Sequence, residues 1–137
     1  MRNYYYKLLL PFILMAISSC KDGYKARLTE MWWVVTEVKI INTNQKVRLS
    51  NNEIEFSENG ICQLPRIASD NWNDNREARW TYFKEDGNSF ILIKSKNIFN
   101  GKYLYYLTND PVTIFKMTLT SDSLEIACAP AKFSNIK

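Results

Sequence analysis

Thr113 to Cys128 reads TIFKMTLTSDSLEIAC, and its pattern sets the fold class. Thr113, Phe115, Met117 and Leu119 alternate with Lys116, Thr118 and Thr120. A period of two buries one face of a strand and wets the other. Ser121-Asp122-Ser123 supplies turn residues, and Leu124, Ile126 and Cys128 resume the alternation against Glu125 and Ala127. The unit is a hairpin. Working outward, the same unit recurs. From Trp32 the even positions Trp32, Val34, Thr36, Val38 and Ile40 form one face, with Glu37 and Lys39 on the other. Ile54 and Phe56 alternate with Glu53 and Glu55, and Ser57-Glu58-Asn59-Gly60 reads as a hairpin turn leading to Cys62 and Leu64. Ala78, Trp80 and Tyr82 alternate with Arg79 and Thr81 up to the turn Glu85-Asp86-Gly87-Asn88. Ser89–Lys94 is a continuous apolar run, as in a strand covered on both faces. Tyr103, Tyr105 and Leu107 complete the series.

About eight strands joined mostly by short turns, with no convincing helix, predict an all-β fold. Hairpin after hairpin gives an antiparallel up-and-down order, and closing the sheet into an eight-stranded β-barrel removes its exposed edges. The polar faces carrying Glu37, Lys39, Glu53, Glu55, Lys116 and Glu125 argue against a barrel that spans a membrane. Four stretches then bear a family resemblance: MWWVVTEV (31–38), IEFSENGIC (54–62), ARWTYF (78–83) and TLTSDSLEIAC (118–128). Their aromatic and turn positions resemble the lipocalin-like domains of short bacterial lipoproteins, over roughly Leu28 to Cys128. The Gly that often precedes the first Trp in that family is replaced here by Glu30-Met31. The resemblance implies a lipocalin-like eight-stranded barrel and assigns no ligand.

The N-terminus gives an address. Arg2 and Lys7 precede an apolar run from Leu8 to Ile17, the length of a signal-peptide core and about half that of a membrane-spanning helix. Ile17-Ser18-Ser19-Cys20 resembles the bacterial lipobox. That resemblance implies cleavage before Cys20 and acylation of its thiol and new N-terminus, enough acyl chains for stable anchoring. Lys21 rather than aspartate after the cysteine points to the outer membrane, on its periplasmic face or at the cell surface. The expected organisation is a signal peptide over 1–19, a lipidated Cys20 and polar tether over 20–28, with a brief helical turn at Arg27–Glu30, and the barrel over 29–137.

Composition narrows the function. The chain contains no His, which excludes Ser-His and Cys-His triads and His-based zinc sites. The formal net charge of +4 loses Arg2 and Lys7 with the leader, so there is no electrostatic footprint for nucleic acid. No catalytic residue, metal site or cofactor is expected.

Two binding readings follow. In the first, a small apolar ligand enters the barrel. Its lining would be Trp32, Val34, Trp80, Tyr82, Phe90, Tyr103, Tyr105, Phe115 and Met117, with Trp33 as a further ring of the same set. The competing use of these rings is to fill the core themselves. In the second, an envelope protein docks on the barrel-end loops around Trp72. That residue sits in the polar stretch Arg66–Glu77, RIASDNWNDNRE, read as a loop. Its Asp70, Asp74 and Glu77 are also the oxygen-rich candidates for Ca²⁺, although Trp72 interrupts the ligand spacing. Cys62 and Cys128 fall on the apolar phase of non-neighbouring strands, and a bridge between them would need closer walls than a simple meander provides.

Overall fold

The structure, a computed structural model, describes residues 22–109 and 115–131. Cys20 and the leader, which carry the anchoring expectation, lie outside them. One helix, α1 (Gly23–Glu30), leads into the strands β1 (Trp33–Ile40), β2 (Gln45–Lys46), β3 (Leu49–Asn51), β4 (Glu53–Phe56), β5 (Ile61–Gln63) and β6 (Arg66–Ile67). They are followed by β7 (Glu77–Glu85), β8 (Asn88–Lys94), β9 (Gly101–Thr108), β10 (Lys116–Thr120) and β11 (Leu124–Pro130). The main sheet runs β11-β10-β9-β8-β7-β5-β4-β1, every pair antiparallel, and β11 pairs back onto β1. The result is the all-β, up-and-down barrel of eight strands that the alternation predicts, consistent with the lipocalin-like barrel that the resemblance implies. β2 is appended to β1, and β3 pairs in a separate ribbon with β6, which lies at the start of the Arg66–Glu77 stretch expected to be pure loop.

Local chemistry fixes the register. Between β7 and β8, Asp86 (φ 51°) and Gly87 (φ 77°) both take the left-handed conformation. Positive φ at both central residues is the two-residue hairpin turn whose twist matches the strands, and it sets Glu85 opposite Asn88. Between β4 and β5 only Gly60 (φ 82°) is left-handed. The turn closes by Gly60 N–H donating to Ser57 O at 3.1 Å and Ser57 N–H to Ile61 O at 2.9 Å. The Trp80 indole clamps this turn from within, donating to Ser57 O at 3.0 Å and to Ile61 O at 3.1 Å.

The strands' inner faces form one core. Trp33, Val35, Val38, Ile54, Phe56, Trp80, Ile91, Ile93, Tyr103, Tyr105, Met117, Leu119, Ile126 and Cys128 are all buried. Edge-to-face packing of Phe56 on Trp80 (centroids 5.1 Å apart, 71°) is the arrangement ring quadrupoles favour. No helix among the described residues is long and apolar enough to cross a membrane.

Three expectations change. First, Trp32 and Val34 do not face the core. β1 carries a bulge: Val35 opposes Cys128 and Glu37 opposes Ala127, leaving Thr36 as the extra residue. One extra residue shifts the phase, so Trp33 and Val35 point in before it and Val38 points in after it. Trp32 is 53% exposed. The Thr36 hydroxyl donates to Ala127 O at 3.1 Å and holds the bulge on β11. Second, Phe90 faces outward. β8 buries Ile91 and Ile93, and Phe90 stacks outside on Phe83 with centroids 5.6 Å apart. The Lys102 ammonium covers both rings. A run apolar in both phases carries no periodicity from which its faces can be assigned. Third, the tether is partly helical. Asp22 caps α1 by accepting from Tyr24 N–H at 3.1 Å, and Leu28, fully buried, joins the core.

Candidate functional site

The barrel has two ends, closed differently. At the helix end, α1 lies across the rim. Leu28 O accepts from the Trp33 indole at 3.3 Å, and Tyr24 O accepts from the Tyr105 hydroxyl at 3.2 Å. Tyr24 packs edge-on against Tyr105, and the Arg27 guanidinium sits 4.5 Å from the centre of the Phe115 ring. Asp22 is the pin. One carboxylate oxygen accepts from the Tyr82 hydroxyl at 2.9 Å and lies 3.0 Å from the Lys84 ammonium. Burial raises the Asp22 pKa, but the bonds from Lys84, Tyr82 and Tyr24 N–H, with the Lys84 charge, overcome it and hold the carboxyl below its ordinary value.

The interior is filled by the residues expected to line a ligand cavity. Trp80, Tyr103, Tyr105 and Met117 are buried, while Tyr82 and Phe115 are half-buried under α1. Tyr103 donates to Phe99 O at 3.0 Å, and burial pushes its hydroxyl up to about 12. Cys62 and Cys128 are both buried free thiols. Burial pushes Cys62 up to about 12 and Cys128 higher still, so both are small hydrophobes rather than nucleophiles.

At the loop end, Leu64 and Phe99 plug the barrel, with Val47, Leu49 and Ile67 packed against it. Above them the Arg66–Glu77 stretch is an ordered cap. Leu64 N–H donates to Arg76 O at 2.9 Å. Arg76 donates in turn to Leu64 O at 2.6 Å and Glu53 O at 3.0 Å. Burial lowers the Arg76 pKa and neighbouring Arg66 adds to that, while Glu53 opposes both. Asp74 accepts from Asn71 N–H at 3.2 Å. Arg66 donates to Asp74 O at 3.2 Å, and its guanidinium carbon lies 4.6 Å from the centre of the Trp72 ring. The Arg66 Nε, itself buried, has no hydrogen-bond partner. Trp72 is 75% exposed, the most exposed of the large apolar side chains among the described residues. Asp70, Asp74 and Glu77 do not gather into a group that would hold a metal.

Two hollows lie at this end and on the adjoining outer wall. One, of about 980 Å³, runs between the Arg66–Glu77 cap and the 95–100 turn. The other, about 450 Å³, lies over the β5–β7 junction. Arg79 and Lys94 line both. These cations were not among the sequence candidates, although a signal for them existed. Counting equally back from the Asp86-Gly87 turn along β7 and β8 sets Arg79 directly opposite Lys94.

Comparison with protein-family models, with curated proteins and with solved structures finds no match for this chain.

Proposed function

We propose that this chain is a lipid-anchored envelope protein, held in the outer membrane by acylated Cys20, that performs no chemistry and binds another envelope component through its loop end. The anchor reading rests on the Ile17-Ser18-Ser19-Cys20 motif and on the positive, apolar leader before it. Only Lys21 separates Cys20 from Asp22, which is pinned to the helix-end rim by Tyr82 and Lys84. Acylation at Cys20 therefore holds the helix end toward the bilayer and presents the loop end away from it. The observation that carries the binding reading is Trp72. A large ring held out in solvent by a hydrogen-bonded cap is what a partner-contact residue requires. The test is chemical cross-linking and co-purification of the tagged full chain from its own cells. A partner recovered with the wild type and lost with Trp72→Ala supports the reading; an unchanged partner list rejects it. Cys20→Ser should move the protein from the membrane fraction to the soluble one.

A second reading, a small apolar ligand held in the barrel, keeps one specific support. Tyr82 and Phe115 are half-buried beneath α1, so a ligand entering there needs the helix to lift. Native mass spectrometry of the purified protein tests this by showing whether a small molecule travels with it.

A further inference from the structure

We propose that the loop-end groove is a phosphate-binding site, with Arg79 of β7 and Lys94 of β8 as its paired cations. Like charges directly opposite each other on adjacent strands repel at a Cβ separation of about 5 Å. A protein of ordinary charge mixing avoids or neutralises such a pair, and this one does so at Lys39 and Lys46, also directly opposite each other: Lys46 pairs with Glu37, and Lys39 lies opposite Glu125 on its other side. Arg79 and Lys94 are both exposed and form no ion pair among the described residues. Both line the groove of about 980 Å³. Two further features make this a site rather than a solvated wall. The same groove is lined by Arg66, whose buried Nε lacks a partner. Lys96 and Arg76 also line it, so that five cations face three acids, Asp70, Asp74 and Glu77. Of these acids, Asp74 already accepts from the cap's own backbone.

The chemistry selects the ligand. A guanidinium offers a planar fork and an ammonium a compact point charge, and both recognise phosphate oxygens. Two adjacent positive charges match the dianion of a phosphate monoester or of inorganic phosphate, and the groove has room for the group that carries it. The inference extends the loop-end reading but rests on different residues. Trp72→Ala tests partner docking and leaves Arg79 and Lys94 in place, removing only the ring against which Arg66 lies.

The experiment is isothermal titration of the full chain, in neutral detergent micelles at constant ionic strength, with inorganic phosphate and with pyrophosphate. Saturable single-site binding is expected, at least tenfold weaker in the Arg79→Gln/Lys94→Gln double variant. A double variant at the opposite end, Lys25→Gln/Lys116→Gln, should bind as the wild type does. Both pairs are exposed and fold is preserved, which a thermal scan verifies. Saturating pyrophosphate should raise the melting temperature of the wild type and not that of the Arg79/Lys94 variant. Micelles doped with phosphatidic acid, a lipid phosphate monoester, separate the sources: competition with pyrophosphate assigns the phosphate to a lipid headgroup, and its absence to a soluble ligand. No saturable binding of either phosphate compound, or equal weakening in both double variants, overturns the proposal.

Discussion

The helix end and the loop end of the barrel close the same core by opposite means. At the helix end, donors and acceptors find partners within the fold: Asp22 with Tyr24, Tyr82 and Lys84, Leu28 O with Trp33, and Tyr24 O with Tyr105. At the loop end the plug is apolar, Leu64 and Phe99, and the polar cap above it leaves the buried Nε of Arg66 without a partner and turns outward the ring of Trp72 and the opposed cations Arg79 and Lys94. A satisfied surface is structural. A surface that keeps unpartnered charge and an exposed aromatic over a sound core is where recognition is cheapest to build, because binding then supplies partners that folding withheld.

Breaking each plug should produce the largest effects, and should produce them locally. Phe99→Ala removes a fully buried ring and is expected to cost about 3–5 kcal/mol, and Leu28→Ala about 2–5 kcal/mol. Urea unfolding gives the totals. Hydrogen exchange separates the ends: protection is lost first around residues 95–103 in the former and across Gly23–Glu30 in the latter.

The pH response distinguishes the ends next. The Asp22 carboxyl is depressed in the folded protein, so its stabilisation is fully present above its ordinary value of 3.8 and is lost as pH falls through the lower folded value. Lys84 is shifted upward by the same pairing, chiefly its hydrogen bond to Asp22. That contribution is complete below 10.5 and is lost as pH climbs past the raised folded value. Asp22→Asn keeps an acceptor at the cap but removes the charge facing Lys84, and should lower stability at neutral pH by about 0.5 kcal/mol, the scale of a solvent-screened ion pair, and should flatten the acid limb of the helix-end exchange profile. Loop-end exchange should stay unchanged between wild type and variant.

Trp72→Ala should have the smallest effect on stability, within about 0.5 kcal/mol, because the ring is mostly in solvent. A thermal scan checks this, and the same variant should show the largest loss in partner recovery.

The sequence discloses the barrel because alternation and turn chemistry agree hairpin by hairpin, most clearly from Phe115 to Cys128. It misassigns Trp32 and Val34 because a single extra residue at Thr36 reverses the phase, and a bulge leaves no mark in a pattern that stays apolar on both sides of it. Phe90 is lost for the related reason that its strand is apolar on both faces. Of α1 only the last turn, Arg27–Glu30, is legible, because its residues are mostly polar. Its place comes from Leu28 and from Asp22 meeting Tyr82, sixty residues away. Of the candidate site, Trp72 is legible as an aromatic in a polar loop. The Arg79–Lys94 pair is legible only once the Asp86-Gly87 turn has fixed the register, and Arg66's place beside them comes from the β3–β6 ribbon, which no local pattern announces.

The central claim is that the barrel is solid and closed at both ends, so that recognition falls to its outer loop surface. The reactivity of Cys62 and Cys128 toward N-ethylmaleimide measures this most directly, since both thiols point into the core at 1% and 0% exposure. Peptide mapping of the folded full chain should find neither position labelled over hours, and both labelled once urea unfolds it. Rapid labelling of Cys128 in the folded protein would mean an open interior and would contradict the account.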